Sequence, residues 1–135
     1  MTMRLPTYIV FAAFWGAATA FAGDMAAQCP ARIPASSIKP DKPVAGWVTT
    51  VPGQMHLKGA GMLGGAPETK TYLVPDSATK TTQSFGFAKG EERWLFCDYG
   101  AVELARKMGD GGTKCVITTE TKWPENNLSA SVRCK

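Results

Sequence analysis

The sequence predicts a mainly β fold, a small antiparallel sheet or sandwich of about five to seven short strands stapled by two disulfides. Three observations predict it: segments of alternating apolar and polar residues, proline and glycine at close intervals, and four cysteines in a chain of 135 residues. Alternation places every second side chain on one face of a sheet, and frequent turn residues leave no room for long helices. The chain therefore fits one domain of short, paired strands.

The first 22 residues have the composition of a secretory signal peptide. Arg4 precedes an apolar run of about fourteen residues, and Ala20, Phe21 and Ala22 form the small-x-small pattern that precedes cleavage. A transmembrane helix needs about 20 apolar residues, so this run is too short to span a membrane. We predict cleavage between Ala22 and Gly23, a periplasmic or secreted product, and no transmembrane segment.

After cleavage, the sequence divides into an extended, proline-rich lead-in, residues 23–45, and a single β-rich domain, residues 46–135. Prolines in the lead-in remove backbone donors and fix φ too often for a long helix or a central strand. The whole chain has 15 Lys and Arg against 11 Asp and Glu, and loss of Arg4 with the signal leaves 14 against 11. Because no basic run exceeds two residues, nucleic acid is not an expected partner.

All four cysteines lie in the mature part of the chain: Cys29, Cys97, Cys115 and Cys134. An even number of cysteines in a small exported chain predicts structural disulfides, and the lack of a C-x-x-C motif disfavours a redox pair or a zinc site. Four cysteines allow three pairings, and their spacing does not decide among them. We favour Cys97–Cys115 with Cys29–Cys134, which would clip one hairpin-rich segment and tie the N-terminus to the last strand.

Strands are predicted where β-branched, aromatic and alternating residues lie between turn residues. The predicted strands are residues 46–51, 54–62, 81–87, 93–99, 114–122 and 128–134. The third and fourth flank the polar sequence KGEE, which predicts a β-hairpin, and the apolar character of both faces of the fourth predicts a central strand. Residues 102–108 fit either a strand or two helical turns, and we favour a strand because glycines bound the segment.

No motif in the sequence assembles a catalytic or cofactor site. Residues 59–64 match the G-x-G-x-x-G pattern of dinucleotide-binding proteins, but another glycine and a proline follow where a helix is needed, so we interpret them as a flexible or bulged strand. Met55, His56 and Met62 resemble a soft-metal site, yet residues this close in sequence are more typical of a strand edge. We predict no metal, no cofactor and no enzymatic activity.

Aromatic residues and glycine-rich loops are the candidates for a binding surface: Trp47, Trp123, Gly61, Gly64 and Gly111. A core position is the more common one for tryptophan in a small domain, but a rigid domain can also present aromatic side chains on its loops. We predict that residues 59–67 and 109–113 form the binding loops.

Several short motifs follow one another in a characteristic order along the mature chain. They are Cys29-Pro30, Gly46-Trp47, Gly65-Ala66-Pro67-Glu68, Leu73-Val74-Pro75, Trp94-Leu95-Phe96-Cys97-Asp98-Tyr99 and Cys115-Val116. This order resembles a family of small, exported, cysteine-containing proteins of Gram-negative bacteria. The resemblance implies a periplasmic, disulfide-bonded, β-rich domain without assigned catalytic residues. Proteins of this sort are often encoded beside toxin-delivery systems, where immunity proteins occur.

Together these observations predict a non-enzymatic binding protein of the periplasm that recognises another envelope protein, as an inhibitor or an immunity factor. The alternative is a glycan- or peptidoglycan-binding module, or a small envelope hydrolase, that uses Trp47, Trp94 or Trp123. Retention on peptidoglycan would favour the alternative.

Overall fold

The computed structural model describes residues 25–135, so the predicted signal peptide, residues 1–22, lies outside the described residues. The strands are β1 (Ala26–Gln28), β2 (Arg32–Ile33), β3 (Met55–His56), β4 (Gly59–Leu63), β5 (Ser77–Ala78), β6 (Thr82–Gly86), β7 (Trp94–Asp98), β8 (Glu103–Lys107), β9 (Lys114–Lys122) and β10 (Asn127–Cys134). Two single-turn 3-10 helices, Ala35–Ser37 and Pro67–Thr69, interrupt them. Within this part of the chain, no helix has the length and apolar character needed to cross a membrane. The mainly β prediction is confirmed.

The strands form two main antiparallel sheets and one short strand pair. The larger sheet has the order β1-β10-β9-β6-β5, the smaller sheet has the order β4-β7-β8, and β2 pairs with β3. The predicted strand at residues 102–108 is confirmed as β8, and β7 is central as predicted. The predicted strand at residues 54–62 is divided into β3 and β4, and the G-x-G-x-x-G segment lies in β4 and its C-terminal end.

One hydrophobic core forms where the buried sides of the sheets meet. It contains Phe85, Ile117, Ala130 and Val132 from the larger sheet and Met62, Leu95 and Cys97 from the smaller one. The alternation predicted for the last strand is confirmed, because Ala130, Val132 and Cys134 are buried while Ser131 and Arg133 are exposed. Full burial of an aliphatic or phenyl side chain stabilises the fold by about 1.5–3 kcal/mol. This core therefore determines which face of each strand points inward.

The hairpin predicted around KGEE is wrong. β6 pairs with β5 and β9 in the larger sheet, whereas β7 pairs with β4 and β8 in the smaller one. The chain crosses between the sheets because both ends of the linker turn inward: Phe87 and Arg93 are buried, and the Arg93 guanidinium carbon lies 4.5 Å from the Phe87 ring centroid.

Among residues 25–135, Arg93 is a charged residue that is fully buried, with 0% of its surface exposed. Its guanidinium group donates hydrogen bonds to the backbone carbonyl oxygens of Glu91 at 3.3 Å, Asp110 at 3.4 Å and Ala88 at 3.5 Å. Buried polar groups are costly unless they are hydrogen bonded. Arg93 thus ties the turn after β6 to the loop after β8, and the Phe87 ring covers its charge.

The predicted strand at residues 46–51 is also wrong. This segment has no strand assignment and is exposed around Trp47 and Val48. Gly46 adopts a φ of +80°, and prolines lie on both sides of the segment, at residues 43 and 52. The β-branched composition favoured a strand, but a strand also needs a neighbour for its backbone groups, and none of the described residues pairs with this segment.

The two disulfides are present, but the pairing that we favoured is wrong. Cys115 bonds to Cys134, and Cys29 bonds to Cys97. Cys97 and Cys115 lie in different sheets, whereas Cys115 and Cys134 are direct partners in the β9–β10 register, with Cα atoms 4.0 Å apart. The adjacent residues, Lys114 and Lys135, exchange both backbone hydrogen bonds. Cys115 and Cys134 therefore form a non-hydrogen-bonded pair, in which side chains approach most closely.

Candidate partner-binding surface

The five residues predicted to form a binding surface occupy separate parts of the fold. Trp47 lies in the strandless segment before β3, Trp123 lies in the turn between β9 and β10, and Gly111 lies in the loop after β8. Gly61 is buried within β4, and Gly64 follows that strand. Addition of a Cβ atom at Gly61 would place it 2.5 Å from the Phe96 ring, whereas the same atom at Gly111 would meet open space. Gly61 therefore serves close packing.

The three tryptophans in residues 25–135 are not core residues, contrary to the more common position for this side chain in a small domain. Trp123 is 81% exposed and Trp47 is 76% exposed. Trp94 is half-buried on β7, and its indole N–H donates a hydrogen bond to the Glu92 carboxylate at 2.8 Å. A large apolar side chain left in solvent has no stabilising role in the isolated domain, so the two exposed indoles are candidates for contact with a partner.

Trp123 is at the end of an arm formed by residues 120–129, which we name the β9–β10 arm. β6 pairs with β9 up to Thr118, with one further hydrogen bond from the Thr119 N–H, and β1 pairs with β10 from Ser131 to Arg133. Beyond these positions, β9 and β10 pair with each other, as in the register of Lys122 with Asn127. At about 3.3 Å per strand residue, three residues beyond Thr119 extend the ribbon by about 10 Å.

Local hydrogen bonds give the end of the arm a defined shape. The Asn127 side-chain amide donates to the Glu125 carboxylate at 2.7 Å, and the Ser129 hydroxyl donates to the Glu120 carbonyl oxygen at 3.4 Å. Asn126 has a φ of +54°, a left-handed conformation that asparagine adopts more readily than most residues. The turn residue types at this position thus match the backbone that carries Trp123.

The base of the arm is fixed to the core. Leu128 packs against the core on the inner side of β10, while the Cys115–Cys134 disulfide joins the same two strands at their other end. Residues 120–126 are exposed throughout. The arm is therefore a solvent-facing element that is held at its base by the packing of Leu128, in a hairpin whose opposite end is closed by a disulfide.

The outer side of the smaller sheet carries a second surface, which the sequence analysis did not identify. The Tyr72 ring packs edge-on against Phe96, with centroids 5.1 Å apart, and the Tyr72 hydroxyl donates to the Glu103 carboxylate at 3.1 Å. This hydrogen bond raises the pKa of Tyr72 above its ordinary value, because the phenolate would face a carboxylate. Alternation in β7 predicts that Phe96 points away from the core, but it does not show that Tyr72, from another segment, packs on it.

Two surface clefts flank these elements. One, of about 400 Å³, lies between the first 3-10 helix and β8 and is lined mainly by apolar side chains such as Ile33, Ile38 and Leu104. The other, of about 680 Å³, lies over β1, β9 and β10. Their charged lining residues are arginine and lysine, and neither lining includes a histidine or a carboxylate.

The soft-metal pattern does not form one surface. Met62 is fully buried in the core, whereas the His56 side chain is exposed on β3. Between residues 25 and 135, no group of three or more His, Cys, Asp or Glu side chains has the geometry to hold a metal ion.

Comparison with protein families identifies the chain over its C-terminal part. Residues 52–135 match the model of the type VI secretion system Tli immunity protein family, which is more than half of the 135 residues. The chain belongs to this family. The region that matches the Tli immunity family begins before β3 and contains the arm, Arg93 and three of the cysteines, whereas Trp47 and Cys29 lie outside it.

Membership in the Tli immunity family agrees with the predicted inhibitor or immunity role and does not favour a glycan-binding module or a hydrolase. It is also consistent with the resemblance to small exported proteins of Gram-negative bacteria. Neither the curated proteins nor the solved structures contain a match to the chain.

Proposed function

We propose that the protein is a periplasmic immunity protein that binds a toxic effector protein delivered by a type VI secretion system and blocks it without chemical turnover. The observation that carries this proposal is the family match over residues 52–135. An immunity protein needs a stable surface complementary to its effector, and a disulfide-stapled β domain with solvent-facing loops supplies such a scaffold.

The cysteines support the periplasm as the place of action. All four are in disulfides, Cys29–Cys97 and Cys115–Cys134, and no free cysteine is found in residues 25–135. Disulfides form and persist in oxidising compartments such as the bacterial periplasm and are rare in the cytosol. The signal peptide predicted for residues 1–22 would deliver the chain to that compartment.

Binding is favoured over catalysis by the chemistry of the surface. The clefts between residues 25 and 135 carry lysine and arginine beside apolar side chains. Among the large hydrophobic residues of this part of the chain, the most exposed are valines and tryptophans, such as Val48 and Trp123. Such side chains contribute contact area in a protein–protein interface, whereas hydrolysis needs positioned acids and bases.

A competition experiment tests the proposal. A strain that lacks the gene for this protein is mixed with attackers of the same strain that have an active type VI secretion system, and surviving recipients are counted. We expect the recipients to be killed, and to be restored by a plasmid copy of the full chain. A copy without residues 1–22 should not protect, because its product stays in the cytoplasm and its cysteines stay reduced.

Attackers with an inactive secretion system are the control, and recipients should survive them with or without the protein. Equal survival of the deletion strain and the parent strain against competent attackers would contradict an immunity role. Full protection by the copy without residues 1–22 would contradict the periplasmic location.

A further inference from the structure

We infer that the β9–β10 arm inserts Trp123 into a concave, apolar site on the effector protein. This inference rests on the proposed function, because the effector is the partner that an immunity protein must recognise. The arm projects from the sheet, and Trp123 is the exposed large hydrophobic residue on it, with 81% of its surface in solvent. A projecting side chain buries its whole surface only in a cavity of the partner.

The tryptophan at this position leaves a large apolar surface in water unless a partner covers it. Tryptophan buries about 150–250 Å² when it is covered, and it is enriched among the few residues that dominate interface energies. On the arm this area is exposed, although the neighbouring Leu128 is packed against the core. Leu128 therefore faces the core and fixes the arm, whereas the Trp123 indole faces solvent.

The backbone around Trp123 is more extensively paired than the backbone around Trp47. Trp47 lies in a segment without strand pairing, and its backbone N–H bonds only locally, to the Val44 carbonyl oxygen at 3.0 Å. Trp123 is carried by two paired strands and a hydrogen-bonded turn. A preorganised contact loses less conformational entropy on binding, so it contributes more affinity for the same area.

The charged residues of the arm define the chemistry of the site that Trp123 fits. Lys122, Glu125 and Glu120 are exposed on the same arm, so both signs of charge accompany one apolar group. Polar residues around a buried aromatic anchor form the rim that excludes water from an interface core. The complementary site is an apolar pocket with a polar rim of mixed charge, and pockets of this kind are where proteins bind their ligands and substrates. Occupation of such a pocket by Trp123 would block it directly.

Site-specific crosslinking in competing cells tests this placement. A photoreactive phenylalanine derivative replaces Trp123 in one recipient strain and Trp47 in a matched strain, and both are mixed with secretion-competent attackers before illumination. We expect an adduct with an attacker-delivered protein from position 123 and none from position 47. The adduct should be absent when the attackers are secretion-deficient.

The effector identified in the adduct then serves as the probe for affinity. We expect the Trp123→Ala variant to bind it at least about 30-fold more weakly than the parent domain, as for an interface hot spot. The Trp47→Ala variant should bind within about threefold of the parent. Both indoles are exposed, so neither variant should change the midpoint of urea unfolding, which verifies that lost binding is not lost folding.

The outcomes separate the inference from the proposed function. If the deletion strain survives competent attackers, the immunity proposal and this inference fail together. If the deletion strain is killed but the Trp123→Ala variant binds the effector as tightly as the parent, the inference alone is overturned. An adduct from position 47 without one from position 123 would overturn it as well.

Discussion

The Cys29→Ala/Cys97→Ala double variant is expected to lose about 4 kcal/mol of unfolding free energy. This disulfide closes a loop with a sequence separation of 68 residues, so its removal greatly increases the conformational entropy of the unfolded chain. Small domains have total stabilities of about 5–15 kcal/mol, so this loss is a large share of the whole. Urea unfolding of the purified mature domain, followed by tryptophan fluorescence, measures it.

The Cys115→Ala/Cys134→Ala variant is the matched comparison. Its disulfide has a sequence separation of 19 residues, and we expect a smaller loss of about 3 kcal/mol. A larger loss from this pair than from the Cys29–Cys97 pair would contradict the loop-entropy argument. It would indicate instead that the pairing of β9 with β10 at this end of the hairpin contributes more than the length of the closed loop.

Replacement of Arg93 by alanine is expected to cost at least about 3 kcal/mol. The change opens a cavity against Phe87 and removes the donors for the backbone carbonyl oxygens of Ala88, Glu91 and Asp110. Arg93→Lys should also be destabilising, since one ammonium group cannot reproduce the planar, forked donor geometry. The midpoint and slope of urea unfolding give both values.

The exposed Arg133 of β10 is the control for this experiment. Arg133→Ala should change the unfolding free energy by no more than about 0.5 kcal/mol, because surface substitutions away from packed features have small effects. Equal losses for Arg93→Ala and Arg133→Ala would show that the buried guanidinium does not organise the crossing between the sheets.

The strands that were predicted best are those whose alternation is complete. From Ser129 to Cys134, β10 alternates three buried residues with the half-buried Ser129 and two exposed residues, and β7 alternates buried and half-buried residues on two largely apolar faces. In both strands, the residue types determine which face is buried, because the apolar side chains of that face must be removed from water. Residues 46–51 have equally suitable composition but no strand beside them, and composition contains no information about neighbours.

The disulfide pairing could have been predicted from the register of the last hairpin. Position numbers of antiparallel partners have a constant sum: Lys122 with Asn127 gives 249, and Cys115 with Cys134 also gives 249. Both strands were predicted from their composition, but the hairpin that joins them was not, so the pairing that follows from its register was missed. The Cys29–Cys97 bond has no comparable local signal, because it joins the segment after β1 to a strand of the other sheet.

The candidate surface was predicted in part. Trp123 was identified as a residue that could contact a partner, but its position on a projecting arm depends on where β6 and β1 stop pairing with β9 and β10. These end points depend on the lengths of β1 and β6, and those lengths are determined by residues far from Trp123 in the sequence. Gly61 was assigned to a binding loop, but the close approach of Phe96 explains its lack of a side chain.

The most direct test of inhibition by binding is a titration of the effector's toxic activity with the purified mature domain. We expect activity to fall in proportion to the domain added and to reach zero at an equimolar ratio, because each molecule of an inhibitor occupies one effector. Longer incubation at a substoichiometric ratio should not lower the remaining activity. Complete inactivation of many effector molecules by one molecule of the domain would instead reveal a catalytic mechanism and contradict a binding role.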